Sequence, residues 1–177
     1  MKRAFLGVLL ANVLFFEACV IPAWVNTAES DAEVAAPIAA SLIDVIDPPL
    51  APVVTLIENG FNALVKALDT YKASPTATNL QAVQSAFGAV NANVAQLESA
   101  AQIKNANTQS TVTAVVALLT QAVTEIAALV PPAAAARMGA LPASSGPNHV
   151  ARGWKAKDFK REFNKIVKSD PRLKELK

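Results

Sequence analysis

The chain has 177 residues, 53% of them apolar and only 6% aromatic. Alanine, valine and leucine supply that balance, which suits one small helical domain and not the dense core of a large enzyme. A single cysteine and a single histidine exclude an internal disulfide and a Cys/His zinc cluster.

Taken in chain order, the first element is an apolar run from Ala4 to Phe16, preceded by Lys2 and Arg3 and followed by Glu17, Ala18 and Cys19. A positive start, an apolar stretch and a cysteine just beyond it form the layout of an export signal with a lipid-acceptor thiol. This segment resembles a bacterial lipoprotein precursor over about twenty residues. Ala18 and Cys19 match the lipobox pattern, while Phe16 stands where an aliphatic residue is usual. The resemblance implies lipid attachment at Cys19, membrane contact through the N-terminal segment and a location in the cell envelope. An uncleaved anchor from Ala4 to Val25 is the alternative, although Glu17 in its outer half costs up to about 3 kcal/mol. Ordinary cleavage lacks a clean Ala-x-Ala site, and a buried N-terminal helix of a cytosolic domain is the remaining option. Residues 1–25 are therefore read as signal peptide, lipoprotein signal or anchor.

Residues 28–130 are expected to form an all-α, antiparallel three- to four-helix bundle. Ser30 and Glu33 have capping-box spacing and open a first helix through Val34, Ile38, Leu42, Ile43 and Ile46, with a kink expected at Pro37. Asp47-Pro48-Pro49 stops it and presets a second helix from Leu50 to Tyr71, because proline lacks an amide donor and is tolerated only in a first turn. A second capping box, Thr78 with Gln81, launches Leu80, Val83, Phe87, Val90, Val94 and Leu97 in unbroken 3-4 spacing. A turn is expected over Asn105–Ser110. Val112, Val115, Leu119, Ala122, Ile126 and Leu129 then repeat the spacing until Pro131-Pro132. Helices of matched length joined by short loops favour antiparallel neighbours.

From Ser74 to Val130 the charged residues are Glu98, Lys104 and Glu125 alone, where a soluble domain normally has about a quarter of its surface charged. So neutral a surface is either that of a secreted domain of low charge, or one partly covered by self-association, a partner or lipid. The stripes are too short and too poor in flanking charge for a coiled coil.

Residues 131–150 are rich in Ala, Pro, Ser and Gly without periodicity and read as a flexible linker. Residues 151–177 read as a flexible basic tail helix. They carry ten basic and four acidic side chains against six and ten in residues 1–150, so the net charge of +2 divides into about +6 for the tail and about −4 for the body. Trp154, Phe159 and Phe163 lie among Lys155, Lys157, Lys160, Arg161, Lys165 and Lys168, the composition of a surface-seeking amphipathic helix. These residues are the candidate contacts to a membrane or partner. Anionic lipid or an acidic protein surface fits their charge, and nucleic acid is the weaker match. The bland alternative is a helix that docks its aromatic stripe on the bundle and leaves its lysines in water.

No catalytic motif emerges. The six glycines are scattered, His149 lies in the linker, Asp47 caps before Pro48, and Glu29, Asp31 and Glu33 read as first-turn charges favoured by a helix dipole. Asp44 has no partner in the pattern, and no nucleophile has a visible base. No cofactor and no metal are expected. The sequence thus points to a non-catalytic, envelope-tethered structural or interaction module, with a membrane-active protein organised like phage holins as the second reading. Asp44, Asp47 and Glu125 oppose that second reading, being costly in lipid. If Cys19 is the lipid acceptor, Cys19→Ala leaves an unprocessed precursor without acylation. Mass spectrometry decides it: an intact, unmodified Met1–Cys19 segment on the wild-type chain removes the lipoprotein reading.

Overall fold

A computed structural model describes residues 21–100, 106–130 and 153–177. The described residues are all-helical, with α1 at Ala23–Ser41, α2 at Ala51–Ala73, α3 at Ala77–Ala100, α4 at Ala106–Leu129 and α5 at Ala156–Val167. The leader up to residue 20 and the linker at 131–150 lie outside the described residues, so the expectations for Cys19 and for the linker are not addressed by the fold.

The first helix begins earlier than the Ser30–Glu33 spacing predicts. Pro22, with φ fixed at −57°, is its N-cap, and both Ser30 and Glu33 lie exposed within α1. The motif failed because a Ser and a Glu three apart also occur along the side of any exposed helix. Val25 is fully buried, so the bundle starts at residue 23 and takes in the last residues of the stretch 1–25. Pro37 sits exposed inside α1 without ending it; on that face the carbonyl it leaves unbonded can turn to water.

Two 3-10 turns, Leu42–Asp44 and Pro48–Leu50, join α1 to α2. They make a full reversal, since Lys72 near the end of α2 pairs with Glu29 near the start of α1, and the Trp24 and Tyr71 rings lie 5.8 Å apart at the same end. After Ser74-Pro75, the cap of α3 is Thr76 and not Thr78. The Thr76 hydroxyl accepts the Asn79 amide at 3.2 Å, while the Asn79 side chain donates to the Ser74 carbonyl at 2.7 Å, so the first turn is tied from both sides. α3 returns along α2 so closely that a Cβ on Gly60 would lie 2.8 Å from Val90 Cγ2. Glycine there lets the two helices approach. Ala106 to Ser110, expected within a turn over Asn105–Ser110, are helical.

α1 packs on α2 and α4, and α3 on both α2 and α4, which closes a four-helix ring. Its core is the predicted stripes: Val53, Val54, Ile57, Phe61, Leu64 and Leu68 on α2, and Val83, Phe87, Val90, Val94 and Leu97 on α3. α1 contributes mainly alanine, with Ala28, Ala32, Ala35 and Ala39 almost wholly buried beside Ile38. Small side chains let three neighbours approach this one helix, and the third is α5, which lies against α1 and α4.

Phe87→Ala or Leu97→Ala should cost about 2–5 kcal/mol, because each empties a filled site in this core. Ser85→Ala and Ser99→Ala remove only hydroxyls that bond back to Gln81 and Gln96 on exposed faces and should cost under about 0.5 kcal/mol. Urea melts of the four variants check the assignment, and equal losses at all four would overturn it.

Candidate functional site

The sequence presents residues 151–177 as a flexible tail; the structure seats their helix in the groove between α1 and α4. Phe159 and Phe163 are fully buried, and Val167 and Leu173 nearly so. Two of the candidate membrane or partner contacts, Phe159 and Phe163, are therefore core residues. The physical reason is ordinary: an aromatic stripe gains about as much from an apolar groove on its own chain as from lipid, without the entropy cost of a second molecule. Trp154, half-buried, stands edge-on to Phe159 with ring centroids 5.5 Å apart. It too packs against the bundle.

The remaining candidates face outward. Lys155, Lys157, Arg161, Lys165 and Lys168 are exposed and Lys160 is half-exposed, and Lys174 and Lys177 beyond the helix are exposed as well. Arg161 pairs with Asp158 at 2.9 Å and Lys165 with Glu162 at 2.9 Å. Such surface pairs contribute little to stability. They also leave the outer face cationic, because residues 153–177 hold nine basic and four acidic side chains.

Two polar fixtures that the sequence did not reveal hold the ends of this segment. At its start, Gly153 adopts a left-handed backbone with φ of 67°, and its amide donates to Glu125 Oε2 of α4 at 3.0 Å. Gln121 donates to the other Glu125 oxygen. Lys155, the N-cap, donates its amide to Asp158 Oδ2 at 3.1 Å, a charge-assisted cap that holds the Asp158 carboxyl below its usual range. At its far end, Asn164 accepts the Leu176 amide at 2.9 Å and donates to the Leu176 carbonyl at 3.1 Å. Asp170 is buried, gripped by the Arg172 guanidinium at 2.9 and 2.5 Å. Arg172 first, with smaller help from Thr111 at the start of α4, pushes the Asp170 carboxyl down to about 2.

Asp31 stands apart. Expected as a solvated first-turn charge, it is 0% exposed and neither of its carboxylate oxygens has a hydrogen-bond partner. Its surroundings are the α4 and α5 sides of α1. The Ala156 amide in the first turn of α5 lowers its pKa but is not placed for a full hydrogen bond, and burial dominates, pushing the carboxyl up to about 6. The phase that buries Asp31 was hidden because its stripe is built of alanine, which occurs on either face of a helix.

Among the described residues, no three His, Cys, Asp or Glu side chains converge as a metal site. Ser110, Thr111, Ser169, Asp170, Pro171 and Arg172 line an open cleft of about 360 Å³. Among the described residues one stretch, Gln109–Leu129, is long and apolar enough to cross a membrane. Most of it is buried here, and its Thr111, Thr120, Gln121 and Glu125 lie against neighbours and not in water. Part of the uncharged surface noted in the sequence is thus covered within the chain. No family model, curated protein or solved structure matches this chain.

Glu125→Ala removes the acceptor of the Gly153 amide. Losing a hydrogen bond to a charged group should weaken docking of the C-terminal segment by about 1.5–3 kcal/mol. Amide exchange should then accelerate across α5 while α2 and α3 keep their protection.

Proposed function

We propose that this chain is a non-catalytic, envelope-tethered helical interaction module: the N-terminal segment holds it at a membrane, with lipid attachment at Cys19, and α5 offers a cationic face to an anionic surface. The observation that carries the reading is the two-sidedness of α5. Its apolar stripe is spent on the groove, so Lys157, Arg161, Lys165 and Lys168 are held in fixed register on the outside. A preorganised cationic face meets an anionic partner without first ordering itself. α1 begins at the end of the ring where Gly153 and Glu125 meet, so a tether ahead of α1 would bring the start of α5 to the membrane. Anionic lipid is the partner favoured by a membrane-tethered chain, ahead of an acidic protein or a second copy.

The second reading, a membrane-active protein organised like phage holins, draws on Gln109–Leu129. It would require that helix to abandon the Glu125–Gly153 junction and carry the Glu125 carboxylate into lipid, at about 3 kcal/mol for a comparable acidic group.

Carbonate extraction separates the two. A chain lacking residues 1–20 should leave the membrane under the interaction-module reading, and retention in the pellet would favour the membrane-active one. Partner chemistry is read with the full chain and vesicles of mixed phosphatidylcholine and phosphatidylserine. Binding should weaken severalfold between low and high salt, and Lys157→Glu with Lys168→Glu should weaken it further. Salt-independent binding, or none at low salt, removes the anionic-lipid partner.

A further inference from the structure

Asp31 is the group in this fold that its surroundings serve least. Ionised, it is a buried charge with no hydrogen bond; protonated, it is a neutral acid of far lower burial cost. The groups acting on it come from both sides of the groove, so α5 forms one wall of its surroundings. Glu125 faces it from α4, and Asp158, Lys155 and the Ala156 amide face it from α5. The two carboxylates oppose its ionisation, while Lys155 and the amide favour it.

We propose that the C-terminal segment, residues 153–177, is a proton-controlled latch: it grips the groove between α1 and α4 more tightly when Asp31 carries a proton, and loosens as Asp31 ionises.

The linkage follows from the two states of the same carboxyl. With α5 docked, burial raises its pKa from 3.8 to about 6. With α5 lifted away, water reaches Asp31 and the ordinary value returns. The docked state therefore binds the proton more tightly, so docking strengthens as pH falls through 6 towards 4 and reaches its weak plateau above 6. Those two values correspond to docking about tenfold tighter at pH 5 than at pH 7, and about 100-fold tighter in the acidic limit. Asp158 and Asp170 act in the opposite sense, since both are held below the usual carboxylate range. What they contribute is present above about pH 4 and is lost below it, which confines the latch to pH 4–7. Release would uncover Phe159 and Phe163 beside the lysines of the same helix, converting a fixed cationic face into an amphipathic one able to enter a bilayer interface.

Amide exchange on the full chain, corrected for intrinsic rates at each pH, tests the proposal independently of any partner. Protection across α5 should rise about tenfold from pH 7 to pH 5. In Asp31→Asn it should be flat over that range, because the buried side chain no longer titrates. A flat wild-type profile, or an unchanged pH dependence in the variant, overturns the latch. So does a parallel change in α2 and α3, which would mean that the whole fold opens. Should Asp31→Asn fail to fold, the carboxyl carbon of Asp31 can be titrated by NMR in the unaltered chain. A midpoint near 6 supports the proposal, and one near 3.8 overturns it.

Discussion

The arrangement depends on the covering of α1 from three sides. Its buried residues, the stripe Val25, Ala28, Ala32, Ala35 and Ala39 with Asp31, Ala36 and Ile38 beside it, take up more of its circumference than the single stripe of α2 or α3. Two ring neighbours cover part of that surface, and the rest adjoins the groove where α5 lies. Alanine is what permits this, because a small side chain lets a helix backbone approach closely on every side. The consequence is that each contact contributes little area, and α5 adds its apolar stripe to the cover of α1.

That role accounts for the character of the C-terminal segment. A helix with a high density of lysine would ordinarily remain solvated, and α5 reconciles its charge with burial by separating the two faces along its length. Phe159, Phe163 and Val167 are spaced by four and share one side, and the cations occupy the others. The ends are fixed by polar contacts of opposite kind: a glycine amide given to a buried carboxylate at Glu125, and a buried carboxylate given a guanidinium at Asp170. The helix runs antiparallel to α4, from Glu125 at its start to Thr111 at its end, and so lies along the flank of the ring. A bilayer at the base of the bundle would meet only the beginning of its cationic face unless the molecule lay on its side or the segment came free.

Periodicity made the core of α2, α3 and α4 readable residue by residue, since leucine, valine and phenylalanine at 3-4 spacing have few ways to avoid burial. The reversal at Asp47-Pro48-Pro49 was readable for an equally direct reason, namely that adjacent prolines deny consecutive amide donors. Short motifs misled where they had no such exclusivity. Ser30 with Glu33 and Thr78 with Gln81 match a capping box, yet Pro22 and Thr76 make the ends, and only the backbone geometry distinguishes them. The stripe of α5 was visible, but whether it meets lipid or its own chain depends on a groove with one wall, α1, more than a hundred positions away. Asp31 was hidden twice over, by an alanine stripe that gives no phase and by the habit of acidic residues at helix starts.

The two tryptophans and the single tyrosine of this chain all lie at one end of the ring. Trp24 faces Tyr71 there, and Trp154 stands on Phe159 beside the Glu125 junction. Intrinsic tryptophan and tyrosine fluorescence therefore senses one pole of the molecule and is blind to the other. Loosening at the α1–α2 reversal would pass without a fluorescence signal, whereas a small movement at the opposite pole would register at once. Fluorescence unfolding curves of this protein are thus local measurements, and a probe of the backbone, such as far-ultraviolet dichroism, weighs both ends alike.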